Sequence, residues 1–165
     1  MIFLTVGTQF PFDRLVKAVD DIASRNALEE QLFGQIGTTS YHPMSFQAVA
    51  SLEKTQFDIY LRKAKAIISH AGMGTILMAL EYEKPLLVMP RLRKYGEAVN
   101  NHQVDIARRF EQLGHILVAY NEEEFPNKLQ QLKTFVPKPR DNQARAVAER
   151  IANFLELLCR KKIPD

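Results

Sequence analysis

Short apolar runs alternate along the chain with segments whose apolar residues recur at helical spacing. The first run, Ile2 to Val6, predicts a buried strand, and Asp13 is expected to cap the helix that follows. Five more strands are predicted at Leu32 to Ile36, Phe46 to Ala50, Ala66 to Ser69, Leu86 to Met89 and Ile116 to Ala119. A segment with helical spacing of apolar residues follows every predicted strand except the second. The last of these segments predicts a helix from Glu122 to Leu132. This alternation predicts an α/β fold with a doubly wound, mostly parallel, Rossmann-like sheet of about six strands.

The length of 165 residues suggests one domain. We assign residues 1–140 to the α/β domain and residues 141–165 to a closing amphipathic helix, with Pro137 and Pro139 in the linker between them. The apolar stripe of this helix comprises Ala144, Val147, Ala148, Ile151, Phe154, Leu155 and Leu158. The stripe fits two roles, covering the sheet or docking a partner protein. We expect docking, because the basic run from Arg160 to Lys162 suits a position near anionic lipid headgroups.

The composition narrows the class of protein. The formal net charge is +3 and the basic residues are scattered, without the stripe typical of nucleic-acid binders, so no nucleic-acid partner is expected. Cys159 is the one cysteine, which excludes an intramolecular disulfide and a Cys-rich metal site. The sequence shows neither a signal peptide nor an apolar run of about 20 residues. We therefore expect a cytoplasmic protein whose membrane contact is peripheral or made through a partner.

Two glycine-containing loops each follow a predicted strand. Gly7, Thr8 and Gln9 follow the first strand, where they form either a plain turn or a contact to a phosphate or sugar. The second loop runs from His70 to Thr75 and contains Gly72 and Gly74. Glycines at a helix start expose backbone N–H groups to an anion, and the helix dipole adds partial positive charge. The alternative for this second loop is a tight turn capped by Thr75.

A nicotinamide dinucleotide is disfavoured as the ligand. Leu77 stands where the dinucleotide fingerprint requires a third glycine. The next strand ends in Met89, Pro90 and Arg91, without the acidic residue that would bind the ribose.

A third segment, Pro90 to Gln103, carries four hydrogen-bonding side chains at a predicted helix start: Asn100, Asn101, His102 and Gln103. Amides and imidazole both donate and accept hydrogen bonds, which suits a polyhydroxyl ligand. The alternative is that the asparagines cap the helix while His102 packs toward Ile106. The basic residues Arg91, Arg93 and Lys94 are expected to form a solvated turn.

These three loops, in their order and spacing, resemble the glycosyltransferase family 28 C-terminal domain, the UDP-sugar-binding half of MurG-like GT-B enzymes. The strings that carry the resemblance are FLTVGTQFPFDRLV, ISHAGMGTILMALEYEKPLLVMPR and NNHQVDIARRFEQLGHILVA. The chain resembles in particular the small stand-alone members of the family, which serve as the UDP-sugar-binding subunits of two-chain transferases. These include subunits of bacterial exopolysaccharide and capsule glycosyltransferases and of the eukaryotic UDP-N-acetylglucosamine transferase that acts on dolichol-linked saccharides. The fragment KYGEAVNNHQ favours the bacterial subunits of exopolysaccharide and capsule synthesis.

The resemblance implies a set of donor-binding residues: Gly7, Thr8, Gln9, His70, Ala71, Gly72, Met73, Gly74, Thr75, Asn101, His102 and Gln103. The first two loops would hold the diphosphate, and His102 and Gln103 would contact the sugar. Met78 stands where the family has a glutamate for the ribose, with Glu81 one helical turn later, so the means of holding the ribose is left open. No catalytic residue is assigned, because the general base is expected on a partner.

The resemblance further implies a hexosyltransferase subunit that moves a sugar from a UDP-sugar to a membrane-lipid-linked saccharide. It would act with a membrane-anchored, acceptor-binding subunit at the inner face of the cytoplasmic membrane. No metal or cofactor is expected, because the three loops contain no Asp-x-Asp motif. The alternative is a non-catalytic chain that activates or stabilises a separate transferase, and a more distant one is an epimerase of related fold.

Overall fold

The chain forms a six-stranded parallel sheet with helices on both faces, in a computed structural model that describes residues 1–25, 28, 30–139 and 152. The described strands are β1 (Ile2–Thr5), β2 (Leu32–Gln35), β3 (Gln47–Val49), β4 (Ala66–His70), β5 (Leu86–Met89) and β6 (Leu117–Val118). The described helices are α1 (Asp13–Ala23), α2 (Lys54–Lys63), α3 (Met73–Glu81), α4 (His102–Gln112) and α5 (Phe125–Leu132), with a 3-10 turn at Arg93–Tyr95. The predicted fold class is confirmed, and each of these strands begins and ends within one residue of its predicted bounds.

The strand order is β3-β2-β1-β4-β5-β6, and every neighbouring pair is parallel. Leu4 of β1 lies opposite Gly34 of β2 on one side and Ile68 of β4 on the other. The chain therefore winds outward from β1 in one direction, returns to β4, and winds outward in the other direction. At this reversal the connections after β1 and β4 lead to helices on opposite faces of the sheet, and open α/β sheets bind ligands at such a point.

Two apolar clusters cover the two faces of the sheet, since parallel strands with helices on both sides are buried on both faces. On one face Leu4 packs with Phe12 and with residues of α1 and α5. On the other face Phe3 packs with Leu61 of α2 and with residues of α3 and α4. Successive residues of β1 thus point into opposite clusters, which explains why the strand has no polar side.

The start of α1 differs from the prediction. The helix begins at Asp13 itself, Phe12 is the N-cap residue, and no side chain caps the helix. Instead, Oδ1 of Asp13 accepts a hydrogen bond from the backbone N–H of Tyr41 at 2.8 Å. The prediction of Asp13 as the cap was wrong because the carboxylate holds the loop between β2 and β3.

Helix α5 begins at Phe125, three residues later than predicted. Glu124, just before it, accepts hydrogen bonds from the Tyr120 backbone and from the Asn121 side chain. Pro126 then lies in the first turn, where its missing N–H costs the helix no hydrogen bond.

The predicted closing helix at 141–165 lies outside the described residues, apart from Ala152. The linker leading to it is held where it passes the end of α4. The N–H of Lys138 donates to Gly114 O at 3.0 Å, and Nδ1 of His115 donates to Lys138 O at 2.8 Å. Within the described part of the chain, no helix is both long and apolar enough to cross a membrane.

Candidate functional site

The loops after β1 and β4 meet at the reversal of the sheet, held together by a hydrogen bond between the two strands. Ser69, fully buried near the end of β4, donates from its hydroxyl to Thr5 O at 2.7 Å. The hydroxyl oxygen also lies 3.2 Å from Nδ1 of His70. Because its proton goes to Thr5 O, this oxygen accepts from Nδ1–H. In the neutral imidazole, Nε2 of His70 is therefore an unprotonated acceptor.

The His70 ring lies between two glycines. A Cβ on Gly7 would lie 2.9 Å from Cε1 of His70, and a Cβ on Gly72 would overlap Nε2. Gly7 also has φ +75°, a left-handed conformation that other residues rarely adopt. The imidazole packed between Gly7 and Gly72 therefore requires glycine at these two positions, in addition to any ligand they face.

Helix α3 begins immediately beyond this ring. Gly72 is its N-cap residue and Met73 its first helical residue, and no side chain forms a capping bond. Capping by Thr75 is therefore excluded, and the first backbone N–H groups of the helix have no acceptor within it. Ala71 differs from its neighbours, because its side chain is fully buried in the cluster beneath the helix.

The four polar residues before and in the first turn of α4 have different environments. Asn101 is exposed and its Oδ1 accepts from the Arg93 backbone N–H at 2.9 Å, whereas Nδ1 of His102 is bonded to Oδ1 of Asn100. His102 is exposed, so the alternative in which it packs toward Ile106 is wrong.

Gln103 is buried, with 7% of its surface exposed. Its Oε1 accepts a hydrogen bond from the backbone N–H of Arg91 at 3.1 Å. The side chain therefore joins the start of α4 to the segment after β5, a role that sequence reasoning missed.

Arg91 is buried rather than solvated, which corrects the expectation from sequence. Only 3% of its surface is exposed, and its guanidinium donates to backbone carbonyl oxygens of the β1–α1 loop, among them Phe10 O and Pro11 O, each at 2.7 Å. Its guanidinium carbon also lies 4.7 Å from the centroid of the Phe12 ring. Sequence position gave no signal for this, because the acceptors lie 80 or more residues earlier in the chain.

These loops enclose a pocket of about 540 Å³, within the range of small-molecule sites. Ten of the twelve predicted residues line it: Gly7, Thr8, Gln9, His70, Gly72, Met73, Gly74, Thr75, His102 and Gln103. The two exceptions are Ala71 and Asn101. The predicted set missed the other residues that line the pocket: Val6, Phe10, Arg91, Ala98, Val99, Asn100 and Ile106. A smaller cavity of about 280 Å³ lies at the opposite end of the strands, next to Ile2, Ala66 and Pro85.

The side chains along the described wall of the pocket are either neutral or positively charged, and none of them is a carboxylate. Burial, together with the positive charge of Arg91, lowers the pKa of His70 to about 4, so the imidazole is neutral at pH 7. Burial also lowers the pKa of Arg91, to about 10, which leaves the guanidinium protonated at pH 7. Among the described residues, no group of three or more His, Cys, Asp or Glu side chains is placed to hold a metal ion.

Neither Met78 nor Glu81 reaches the pocket. Met78 is partly buried and packs against the cluster beneath α3, while Glu81 is exposed at the last residue of that helix. Neither side chain lines the pocket wall, so the wall offers no carboxylate for a ribose.

Two similar proteins from different organisms share one name. The UDP-N-acetylglucosamine transferase subunit ALG13 of Homo sapiens is 34% identical over 128 residues, which cover 70% of this chain and 10% of that one. The subunit of the same name from Yarrowia lipolytica is 23% identical over 173 residues, covering 94% of this chain and 86% of the relative. The chain thus spans about a tenth of the human relative and nearly all of the yeast one.

Solved structures share the fold. The solution structure of ALG13 aligns with a TM-score of 0.57 at 22% identity, covering 91% of this chain and 93% of that chain. MurG of Acinetobacter baumannii aligns with a TM-score of 0.54 at 20% identity, covering 80% of this chain and 40% of MurG.

The family model of the glycosyltransferase family 28 C-terminal domain matches residues 1–158, nearly the whole sequence. The resemblance drawn from the loops is thereby confirmed: the chain belongs to the glycosyltransferase family 28 C-terminal domain family.

Proposed function

We propose that this chain is the donor-binding catalytic subunit of a glycosyltransferase. It binds a UDP-sugar and, with a partner subunit, transfers the sugar to a membrane-lipid-linked saccharide in surface polysaccharide synthesis. The partner is membrane-anchored and brings the chain to the inner face of the cytoplasmic membrane.

The observation that carries this proposal is the uncapped start of α3, which opens beside His70 into a pocket whose described wall has no carboxylate. The N–H groups of Met73, Gly74 and Thr75 suit the oxygens of a diphosphate, and the helix dipole favours the anion. When the bond to the sugar breaks, negative charge develops on the departing diphosphate. Fixed dipoles already directed at that position stabilise the charge without rearranging.

The sugar lies toward α4 in this proposal. His102 and Gln103 line the same pocket as the helix start, and both carry groups that hydrogen-bond hydroxyls. His102 is exposed and bonded to Asn100, so its ring is accessible to a ligand.

Two comparisons support a two-chain enzyme. The relatives in Homo sapiens and Yarrowia lipolytica are both named as transferase subunits. We assign acceptor binding and the general base to the separate partner, and docking of that partner to residues 141–165.

Calorimetry on the purified chain tests donor binding. We expect saturable binding of UDP and of a UDP-sugar, unchanged by a metal chelator, and no binding of NAD. Asp21→Asn, which changes an exposed residue of α1, is the control and should bind as the unmodified chain does. Preference for NAD over UDP would refute the assignment.

Transfer requires a second assay, because a chain that only activates another transferase is the competing function. Membranes that contain the partner are mixed with the chain, labelled UDP-sugar and a lipid-linked acceptor. We expect label in the lipid fraction only when both chains are present, and loss of that label when the donor pocket is disrupted by Gly72→Ala. If Gly72→Ala abolished UDP binding but left transfer intact, the chain would be an activator rather than the donor subunit.

A further inference from the structure

The pocket wall contains a buried cation, the guanidinium of Arg91, whose hydrogen bonds all go to backbone carbonyl oxygens. Nη1 of Arg91 donates to Pro11 O at 2.7 Å and to Glu97 O at 3.2 Å. Nη2 donates to Phe10 O at 2.7 Å and to Val6 O at 2.5 Å. Four of the five guanidinium N–H donors are thus directed to carbonyl oxygens of two loops. Burying a charge is costly unless it is hydrogen-bonded. This nearly complete set of acceptors therefore indicates that the cation is kept in one position.

Carbonyl dipoles solvate this cation but do not neutralise it. The nearby buried carboxylate, Glu97, forms a two-point salt bridge with Arg14, at 2.8 Å to Nε and 2.9 Å to Nη2. Its Oε2 also accepts from the backbone N–H of Leu92. Glu122 contacts the same Arg14 at 3.4 Å, and its side chain is 48% exposed. In the described part of the chain, no carboxylate hydrogen-bonds the guanidinium of Arg91.

The charge of Arg91 acts on the pocket. Arg91 and His70 both line it, and the pKa of His70 is lowered first by burial and then by the positive charge of Arg91. The imidazole adjoins Gly72, the N-cap residue of α3, so the guanidinium acts on a group at the side of the pocket where α3 begins.

We propose that Arg91 supplies the fixed positive charge that balances the diphosphate of the bound nucleotide, with the four loop carbonyls holding the guanidinium in place. The inference rests on the proposed function, since it concerns how the same site selects its ligand. Its consequence is selectivity: Arg91 favours a nucleoside diphosphate over the uncharged nucleoside. The same charge stabilises the diphosphate as it departs from the sugar.

The competing explanation is that Arg91 only ties the two loops together. Two substitutions separate charge from geometry. Arg91→Lys keeps a positive charge but cannot reproduce the planar fork that reaches four carbonyls, whereas Arg91→Gln removes the charge. Arg93→Gln is the matched control, because it removes an exposed arginine two residues away that does not line the pocket.

The measurement is calorimetry with UDP and with uridine, each at low and moderate salt. We expect Arg91→Gln to weaken UDP binding by about tenfold or more while uridine binding is unchanged. Arg91→Lys should keep most of the preference for UDP, and Arg93→Gln should keep all of it. A folded Arg91→Gln chain with the UDP-to-uridine preference of the unmodified chain would overturn the proposal.

If Arg91→Gln does not fold, the unmodified chain still provides a test. The Nε–H signal of Arg91 is followed by ¹⁵N NMR while UDP, uridine or inorganic pyrophosphate is added. We expect UDP and pyrophosphate to shift the signal and uridine to leave it in place. A chain that responds to pyrophosphate but binds no UDP would refute the proposed function and leave the anion site standing. No shift with either anion at saturation would overturn the inference itself.

Discussion

The imidazole of His70 occupies the space that a side chain on Gly72 would need. Gly72 has φ −86° and ψ 131°, a conformation open to any residue, so its backbone does not require glycine. The requirement comes from the neighbouring ring alone. Glycine is therefore required at the start of α3 for a steric reason and not for a conformational one.

Replacing Gly72 by alanine should displace the His70 ring and weaken UDP binding. We expect a loss of about 1–3 kcal/mol in the free energy of unfolding, the usual cost of overpacking a filled site. Urea unfolding and calorimetry measure the two effects.

Gly74→Ala is the matched control, because a Cβ there has no neighbour within 4 Å. Alanine in that first helical turn should leave stability unchanged or raise it by up to about 1 kcal/mol. In a His70→Ala background, Gly72→Ala should lose most of its cost, since the two residues are in contact. An undiminished cost in that background would contradict the steric explanation.

Acidification should destabilise the chain through His70. The folded-state pKa is about 4, below the ordinary value of 6.5, so between these values the unfolded chain binds a proton that the folded chain does not. The stability that depends on neutral His70 is therefore complete above about pH 6.5 and is lost as the pH falls toward 4. Urea unfolding of the unmodified chain and of His70→Gln, compared from pH 7 to pH 5, checks this. Equal pH dependence in the two proteins would assign the effect to other groups.

Gln103→Ala should affect both stability and transfer. Removing Oε1 leaves the buried N–H of Arg91 without its acceptor, which should cost about 1–3 kcal/mol in the free energy of unfolding. A polar side chain at a helix start can be removed at little cost only where it is exposed, and Gln103 is buried.

Gln103→Glu keeps the acceptor while removing the amide donor, so it should fold nearly as well as the unmodified chain yet transfer more slowly. His102→Ala changes an exposed neighbour and should leave stability within about 0.5 kcal/mol. If Gln103→Ala left stability unchanged, the hydrogen bond to Arg91 would carry little energy.

Asp20 should stabilise the loop between β2 and β3. Its buried carboxylate accepts from the Tyr41 hydroxyl at 2.7 Å and from the Ser45 N–H at 2.8 Å, with Met44 N–H at 3.1 Å. Burial alone would raise the pKa of Asp20, but these donors bring it below its usual value. The carboxylate in turn raises the pKa of Tyr41 to about 12.

Asp20→Ala should cost about 2–3 kcal/mol in the free energy of unfolding, because hydrogen bonds to a charged group are lost together. Amide hydrogen exchange should accelerate at Met44 and Ser45. Asp21→Ala, at the exposed neighbouring position, is the control and should change neither quantity. Unchanged exchange in Asp20→Ala would show that the loop is held by other contacts.

The residues that form each strand, and the edge where the ligand loops gather, could be predicted from sequence. Both faces of these parallel strands are buried, so each strand appears as a short, uninterrupted apolar run that is visible locally. The carboxyl ends of parallel strands lie at one edge, which places Gly7 and Gly72 near each other without any knowledge of the packing. Ten of the twelve predicted residues therefore line one pocket.

The tertiary structure alone decided which polar side chains hold the loops together. Arg91 binds Val6 O from 85 residues away, Asp13 and Asp20 hold a loop more than 20 residues later, and Gln103 holds Arg91. Each of these side chains resembles an ordinary capping or solvated residue within its own stretch of sequence. The local sequence pattern indicates periodicity and burial. The partner of a buried polar group depends instead on which loops the completed sheet brings together. The sequence therefore determined the strands and the edge that carries the pocket, and the packing of the loops determined which charges and hydrogen bonds support it.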